Sequence, residues 1–340
     1  MTIFTKSSFI LVNRVVFTYI WVVFLLVACG VGNKERSNSG IWEMQPVYGA
    51  CDTVSIDTMD IKNPFITYDR KADTYYMTGD DGYVWKSKEL RRWVGPYNVL
   101  AHDTASWLGV APKITSPEIH VFANKYYYMA AFETAEYSSC ATLVADNITG
   151  PYKTIDSKSF LLDENEKTTC PTFCSDEFGA GYMIYNNVDE QDGAVQIVLY
   201  SDDCGRRLGE AYTMFTASQV SWAHEMKNGE SVASPVVESP FLFYSGTEWL
   251  GMLFTAYNGD EKAVGVAYSD TGALDGPWAV ENEPLLKGYG SASMFSDYDG
   301  TLVMLVTKDT IMNGVKKSVP KLIKTDSQFD KLQIKGYYKF

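Results

Sequence analysis

Histidine is scarce, three in 340 residues, and no Cys-x-x-Cys pair recurs, which excludes the usual frameworks for structural zinc. Positive charge is also short: Lys and Arg number 29 against 42 Asp and Glu, for a formal charge of −13. A binder of nucleic acid or of anionic lipid head groups shows the opposite balance. No helical periodicity persists beyond a few turns, which removes helical bundles from consideration. Past residue 29 the cysteines are Cys51, Cys140, Cys170, Cys174 and Cys204. That odd number leaves at least one unpaired in a monomer, and Cys170 and Cys174 are too far apart to bridge along an extended strand.

What is present begins with a leader. Lys6 and Arg14 precede an apolar run from Val15 to Val27, broken only by Thr18. The string Leu26-Val27-Ala28-Cys29 that follows resembles a bacterial lipobox, which implies a signal peptide over 1–28 and lipidation of Cys29. An uncleaved N-terminal anchor is the alternative, and either places the remainder outside the cytoplasm. Residues 29–40 are Gly-, Asn- and Ser-rich and suit a flexible tether. Residues 41–340 are expected to form a single domain. Loss of the leader removes two cations, leaving 27 against 42, or −15. The localisation expected is the cell envelope, with the membrane met only through the lipid. The 23 Tyr and 8 Trp suit polyhydroxylated ligands and suit a β-protein core equally.

One unit recurs along the chain: a strand start with proline, an apolar strand, a Gly or Asn turn, and a Tyr/Met-rich strand. It appears as NPFITYDRKADTYYMTG from Asn63, SPEIHVFANKYYYMAAF from Ser116, CPTFCSDEFGAGYMIYN from Cys170 and ESPFLFYSGTEWLGMLFTAY from Glu238. GSASMFSDYDGTLVMLV from Gly290 keeps the pattern without proline. Prolines 64, 117, 171 and 240 are spaced by 53, 54 and 69, a blade period. A second half, a strand with a polar turn and usually Gly-Pro-aromatic, repeats at Trp85 to Tyr97, Leu143 to Tyr152, Leu199 to Tyr212 and Ala267 to Trp278, and is eroded at Ile323 to Leu332. The reading is an all-β, five-bladed β-propeller with four-stranded antiparallel blades. Asn63, Ser116 to Glu118, Cys170, Glu238 and Ser291 then converge on a central funnel.

These strand starts resemble glycoside hydrolase family 43, inverting five-bladed propellers that mostly act on arabinose- and xylose-containing glycans. The likeness runs collinearly from Asp57 to Asp309. Ile61 to Ile66 resembles the family's blade-one Asp-Pro motif, and Ser116-Pro117-Glu118 its Trp-Ala-Pro-Glu motif. Cys170 to Tyr185 resembles the blade-three strand that opens with Asp, and Val237 to Phe241 the strand carrying the acid. Gly290 to Gly300 resembles the last-blade segment with a channel histidine.

The resemblance implies a base, an acid and a third carboxyl that tunes the acid. Carried over, the general acid is Glu238, the base position holds Asn63 and the tuning position holds Cys170. An amide cannot take a proton from water near neutral pH, and an uncharged thiol cannot anchor an acid as a carboxylate does. Glu118 is the candidate substitute base or a site-lining group. Trp222 corresponds to a tryptophan at the funnel mouth that either stacks on a sugar or packs. Ser291 stands at the histidine position, so no metal and no cofactor, calcium included, is expected. Asp57 and Asp60 read as turn residues, the Asn147-Ile148-Thr149 sequon as coincidental, and His102 and His224 carry no pattern. Three readings follow: a funnel that binds plant-type arabinose- or xylose-containing poly- or oligosaccharide without turnover, an inverting O-glycosidase using Glu238 with another base, or a structural propeller.

Overall fold

The computed structural model describes residues 43–340 except 103–105, 156–161, 163–165, 177, 190–191, 234–235, 246–248 and 328–330. Cys29 and the leader expected over residues 1–28 lie outside the described residues.

Backbone pairing sorts the strands into five sheets. Each starts from one strand: Phe65–Asp69, Lys113–Phe122, Thr168–Ser175, Glu238–Ser245 and Gly290–Ser296. Antiparallel neighbours are then added in chain order. Each starting strand touches the starting strand of the next sheet, and the fifth touches the first. The arrangement is all-β and propeller-like.

The Tyr/Met-rich strands show why the sheets pack on both faces. Lys125–Glu133 is buried from Tyr126 to Phe132 without a break, because alternate side chains serve different neighbours. Tyr126, Tyr128, Ala130 and Phe132 join the cluster shared with Tyr76 and Val84 of the first sheet. Tyr127, Met129 and Ala131 join Met183 and Tyr185 of the third. Similar clusters join the third sheet to the fourth, through Phe215 and Phe254, and the fourth to the fifth, through Leu253 and Met304. Ile66, Met77 and Trp93 of the first sheet meet Phe295 and Leu305 of the fifth. Each large side chain buried in such a seam contributes about 1.5–3 kcal/mol.

The expectation of four strands per sheet holds for three sheets and needs correction for two. The first has six, because Gln45–Pro46 and Asp52–Ser55 both pair with Arg92–Asn98. The fourth has seven: the hairpin His224–Lys227/Glu230–Ala233 and the short Leu286–Lys287 are added to it. These additions pair non-locally and lie outside the repeat, so no periodicity marks them. The five described cysteines are all free thiols, as the spacing of Cys170 and Cys174 requires for that pair.

A backbone feature repeats at the head of every starting strand. Asn63, Ser116, Cys170, Ser239 and Ser291 have φ of 46, 50, 51, 51 and 50°, the left-handed region that L-residues enter at a cost of about 1–2 kcal/mol. In the last four strands the ladder register shifts across this residue, as at a β-bulge. The bend turns the strand head inward. Polar latches hold it: Thr78 Oγ1 donates to Pro117 O, Asn186 Nδ2 to Val237 O, and Ser291 N to Thr255 Oγ1 at 2.9 Å. Each runs from the second strand of one sheet to the head of the next.

A β-branched residue in this conformation adds crowding. Ser239→Val is expected to lower the unfolding free energy by about 1–2 kcal/mol and Ser239→Gly to leave it nearly unchanged, measured by chemical denaturation. A valine variant as stable as the parent would show that the bend carries no strain.

Candidate active-site funnel

The five left-handed residues meet. Asn63, Ser116, Cys170, Ser239 and Ser291, with Glu118, Phe65 and Ser293, line one cleft where the strand heads converge. Its floor leaves about 20 Å³ for the centres of water molecules, room for roughly one water. A five- or six-membered ring is too large to enter it.

A hydrogen-bonded chain connects the five. Ser291 Oγ donates to Asn63 Oδ1 at 2.7 Å. Asn63 Nδ2 donates to Asp80 Oδ1 at 3.0 Å, and the Ser116 backbone N–H donates to the same oxygen at 2.9 Å. Ser116 Oγ lies 3.3 Å from Cys170 Sγ, to which Ser239 Oγ donates at 3.8 Å. Asn63 is thus held at both ends of its amide. Burial, and then the charge of Glu238, push the Cys170 thiol up from its ordinary range, so it stays protonated and neutral. Burial also raises the carboxyl of Asp80, against the two hydrogen bonds that it accepts.

Glu238 needs a register correction. The residue equivalent to Asn63, Ser116 and Cys170, each followed by proline, is Ser239. Glu238 precedes it and lies beside the floor, its Oε2 3.3 Å from Lys262 Nζ with 40% of its side chain exposed. Burial works against the Lys262 ammonium, but Glu238 and Tyr257 outweigh it and raise its pKa. Glu118 does line the floor, and its Oε2 is hydrogen-bonded to His120 Nε2 at 2.6 Å. His120 packs against Phe65 and Phe173, with ring centroids 5.0 and 5.8 Å away.

Trp222 is a core residue, which corrects its expected role as a sugar platform. Only 7% of it is exposed, it stacks on Phe254 at 6.0 Å and 13°, and its Nε1 donates to Glu281 O at 3.2 Å. With the ring and its N–H both engaged, no face is left for a ligand.

The donor set fits a divalent cation at Ser291 poorly: around that hydroxyl the floor offers an amide, hydroxyls, a thiol and one carboxylate, Glu118, already paired with His120. Among the described residues no cluster of three or more His, Cys, Asp or Glu side chains could hold a metal ion.

Sequence reasoning missed Asp80, Lys262 and the pairing of His120. Residues i and i+2 of a strand share a face, so Glu118 and His120 could have been paired from spacing. Asp80 sits in a Gly-Asp-Asp-Gly turn that carries no such mark.

A propeller-like all-β protein with a polar funnel at the heads of its starting strands is the class that fold and site define. Residues 55–312 match Glycosyl hydrolases family 43, and the chain belongs to that family. No curated protein matches it by sequence. Among solved structures it is similar to an endo-arabinase from Bacteroides thetaiotaomicron, with 22% identity over 84% of this chain and 99% of that one, at a TM-score of 0.70. An endo-1,4-beta-xylanase from the same organism is 18% identical over 84% and 97%, with a TM-score of 0.64. An alpha-L-arabinanase from Cellvibrio cellulosa, solved with arabinohexaose, is 14% identical over 81% and 95%, with a TM-score of 0.57. At these identities the likeness shows the fold.

Removing the indole tests the assignment of Trp222. Trp222→Ala is expected to cost about 3–5 kcal/mol of stability, seen as a lowered denaturation midpoint. Loss of glycan binding at undiminished stability would return Trp222 to the ligand site.

Proposed function

We propose that this family 43 chain binds arabinose- or xylose-containing glycans in its funnel and does not hydrolyse them by the family's inherited acid/base set. The observation that carries this is Asn63: its amide stands where the resemblance puts the base, tied to Ser291 and Asp80. An amide so held positions a hydroxyl or a water and accepts no proton, and a positioned base is worth a factor of about 10²–10⁴. Cys170, neutral and bonded to two serines, supplies no charge for tuning Glu238. The substrate class follows from the family and from the names of the similar structures, an endo-arabinase, a xylanase and an arabinanase with arabinohexaose.

In this reading residues 41–340 are one domain, and the five sheets are the blades of a closed propeller. The seam between the fifth and first sheets supports that closure. Cys29 carries the lipid, residues 29–40 are the tether, and the protein works at the cell envelope. No metal or other cofactor takes part.

A second reading, an inverting O-glycosidase with Glu238 as acid, is favoured by one observation: Glu118 lines the floor and is held by His120. It would have to act as the base in place of residue 63.

Binding and turnover separate the two. The domain without its tether is expected to retain arabinan or xylan in affinity electrophoresis and to release no product from the polymers or from aryl arabinosides and xylosides. Turnover abolished by Glu238→Gln would establish the second reading instead. For the anchor, Cys29→Ser is expected to move the protein from the detergent phase to the aqueous phase in Triton X-114 partition. An unchanged distribution would rule out lipidation at that residue.

A further inference from the structure

We propose that Asp80 is the positioning residue of the funnel floor: its Oδ1, shared between Asn63 Nδ2 and the Ser116 N–H, obliges position 63 to carry a donor and so holds an amide there for sugar hydroxyls. For its ligand the inference rests on the glycan-binding reading. For its chemistry it rests on two contacts, 3.0 and 2.9 Å, made to one oxygen atom.

The argument is one of donors and acceptors. The Ser116 N–H is a fixed donor at the bent head of the second starting strand, and whatever sits at Asp80 Oδ1 must accept from it. The same atom faces position 63 at hydrogen-bond distance, so position 63 must donate as well. Asparagine does this and still has one amide hydrogen and one lone pair on Oδ1 uncommitted by the contacts to Asp80 and Ser291. That donor and acceptor suit adjacent hydroxyls of a sugar.

Aspartate at position 63 would set two carboxylates against each other at about 3 Å, where they must share one proton. Asparagine at position 80 would remove one of the two charges but, with its oxygen still needed by Ser116, would leave two acceptor oxygens facing each other. A hydroxyl at position 80, or a water beside it, can accept from Ser116 and at once donate to an aspartate at position 63. The loss of the base is therefore held by its surroundings and is not undone by a single reversion. The charged and titratable groups around Asp80 are Lys62, Asp81, Lys113 and Tyr128, which act on it or are acted on by it.

The test compares the wild type, Asn63→Asp, Asp80→Ser and the double variant that combines the two substitutions, by thermal unfolding between pH 5 and 8, with arabinan and xylan binding alongside. In Asn63→Asp the shared proton has a native pKa above its unfolded value, so stability is present at low pH and lost as pH rises through the native value. Its melting temperature is expected to lie near the wild type's at pH 5 and at least about 3 °C further below it at pH 8. The double variant is expected to show the same difference from wild type at both pH values. Asn63→Asp should also bind glycan more weakly at pH 8 than at pH 5 and hydrolyse nothing.

Asn63→Asp tracking the wild type across this range would overturn the proposal. If that variant does not fold at any pH, a folded double variant supports the proposal, and a double variant that fails while Asp80→Ser folds overturns it. Failure of the wild type to bind any of the glycans would instead sink the binding reading, leaving the role of Asp80 to be decided by the melting profiles.

Discussion

The left-handed bend at the head of each starting strand is the constraint on which the rest of the structure depends. The five non-glycine residues at these heads take the same φ near +50°, and each does so next to a seam where a neighbouring sheet packs against it. The cost of the bend is offset at three of the heads by polar latches from the preceding sheet and by the packing of Tyr, Met and Phe behind it. What the bend achieves is convergence. Residues from five sheets, up to 228 positions apart, reach one floor.

The proposal that this family member binds glycans without hydrolysing them rests on the character of that floor. Asn63, Ser116, Cys170, Ser239 and Ser291 are uncharged hydrogen-bonding groups joined in one chain through Asp80. The carboxylates nearby are all engaged: Asp80 by Asn63 and Ser116, Glu118 by His120, and Glu238 by Lys262. Acid/base hydrolysis needs two carboxyl groups held apart with contrasting proton affinities. A floor of mostly uncharged hydrogen-bonding groups, its one carboxylate Glu118 paired with His120, is the basis for the binding proposal.

Much of the fold was legible because its signals are local. The run Tyr126 to Phe132 announces a strand covered on both faces, and the Asn-Pro, Ser-Pro, Cys-Pro and Ser-Pro steps mark equivalent strand heads. The convergence of positions 63, 116, 118, 170 and 291 followed from that repeat. The reading was less secure where a residue's role depends on what packs on it. Trp222 has the composition of a sugar platform, and Phe254 and the Glu281 carbonyl make it core. By motif Glu238 falls with the floor residues, whereas the step before Pro240 puts Ser239 there. The hairpin His224–Lys227/Glu230–Ala233 joins the fourth sheet by pairing beside Asn258 and Gly259, a contact that no repeat predicts.

The sequence by itself determined the all-β class, the repeated strand pattern, the family, and the absence of carboxylates at positions 63 and 170. These are properties of residue type and spacing along the chain. Only the tertiary structure decided that Asp80 stands behind Asn63, that Lys262 reaches Glu238, and that Ser291 closes onto Asn63. Hydrogen bonds and ion pairs act over about 3 Å, and which groups come within that distance is set by how the sheets close on one another.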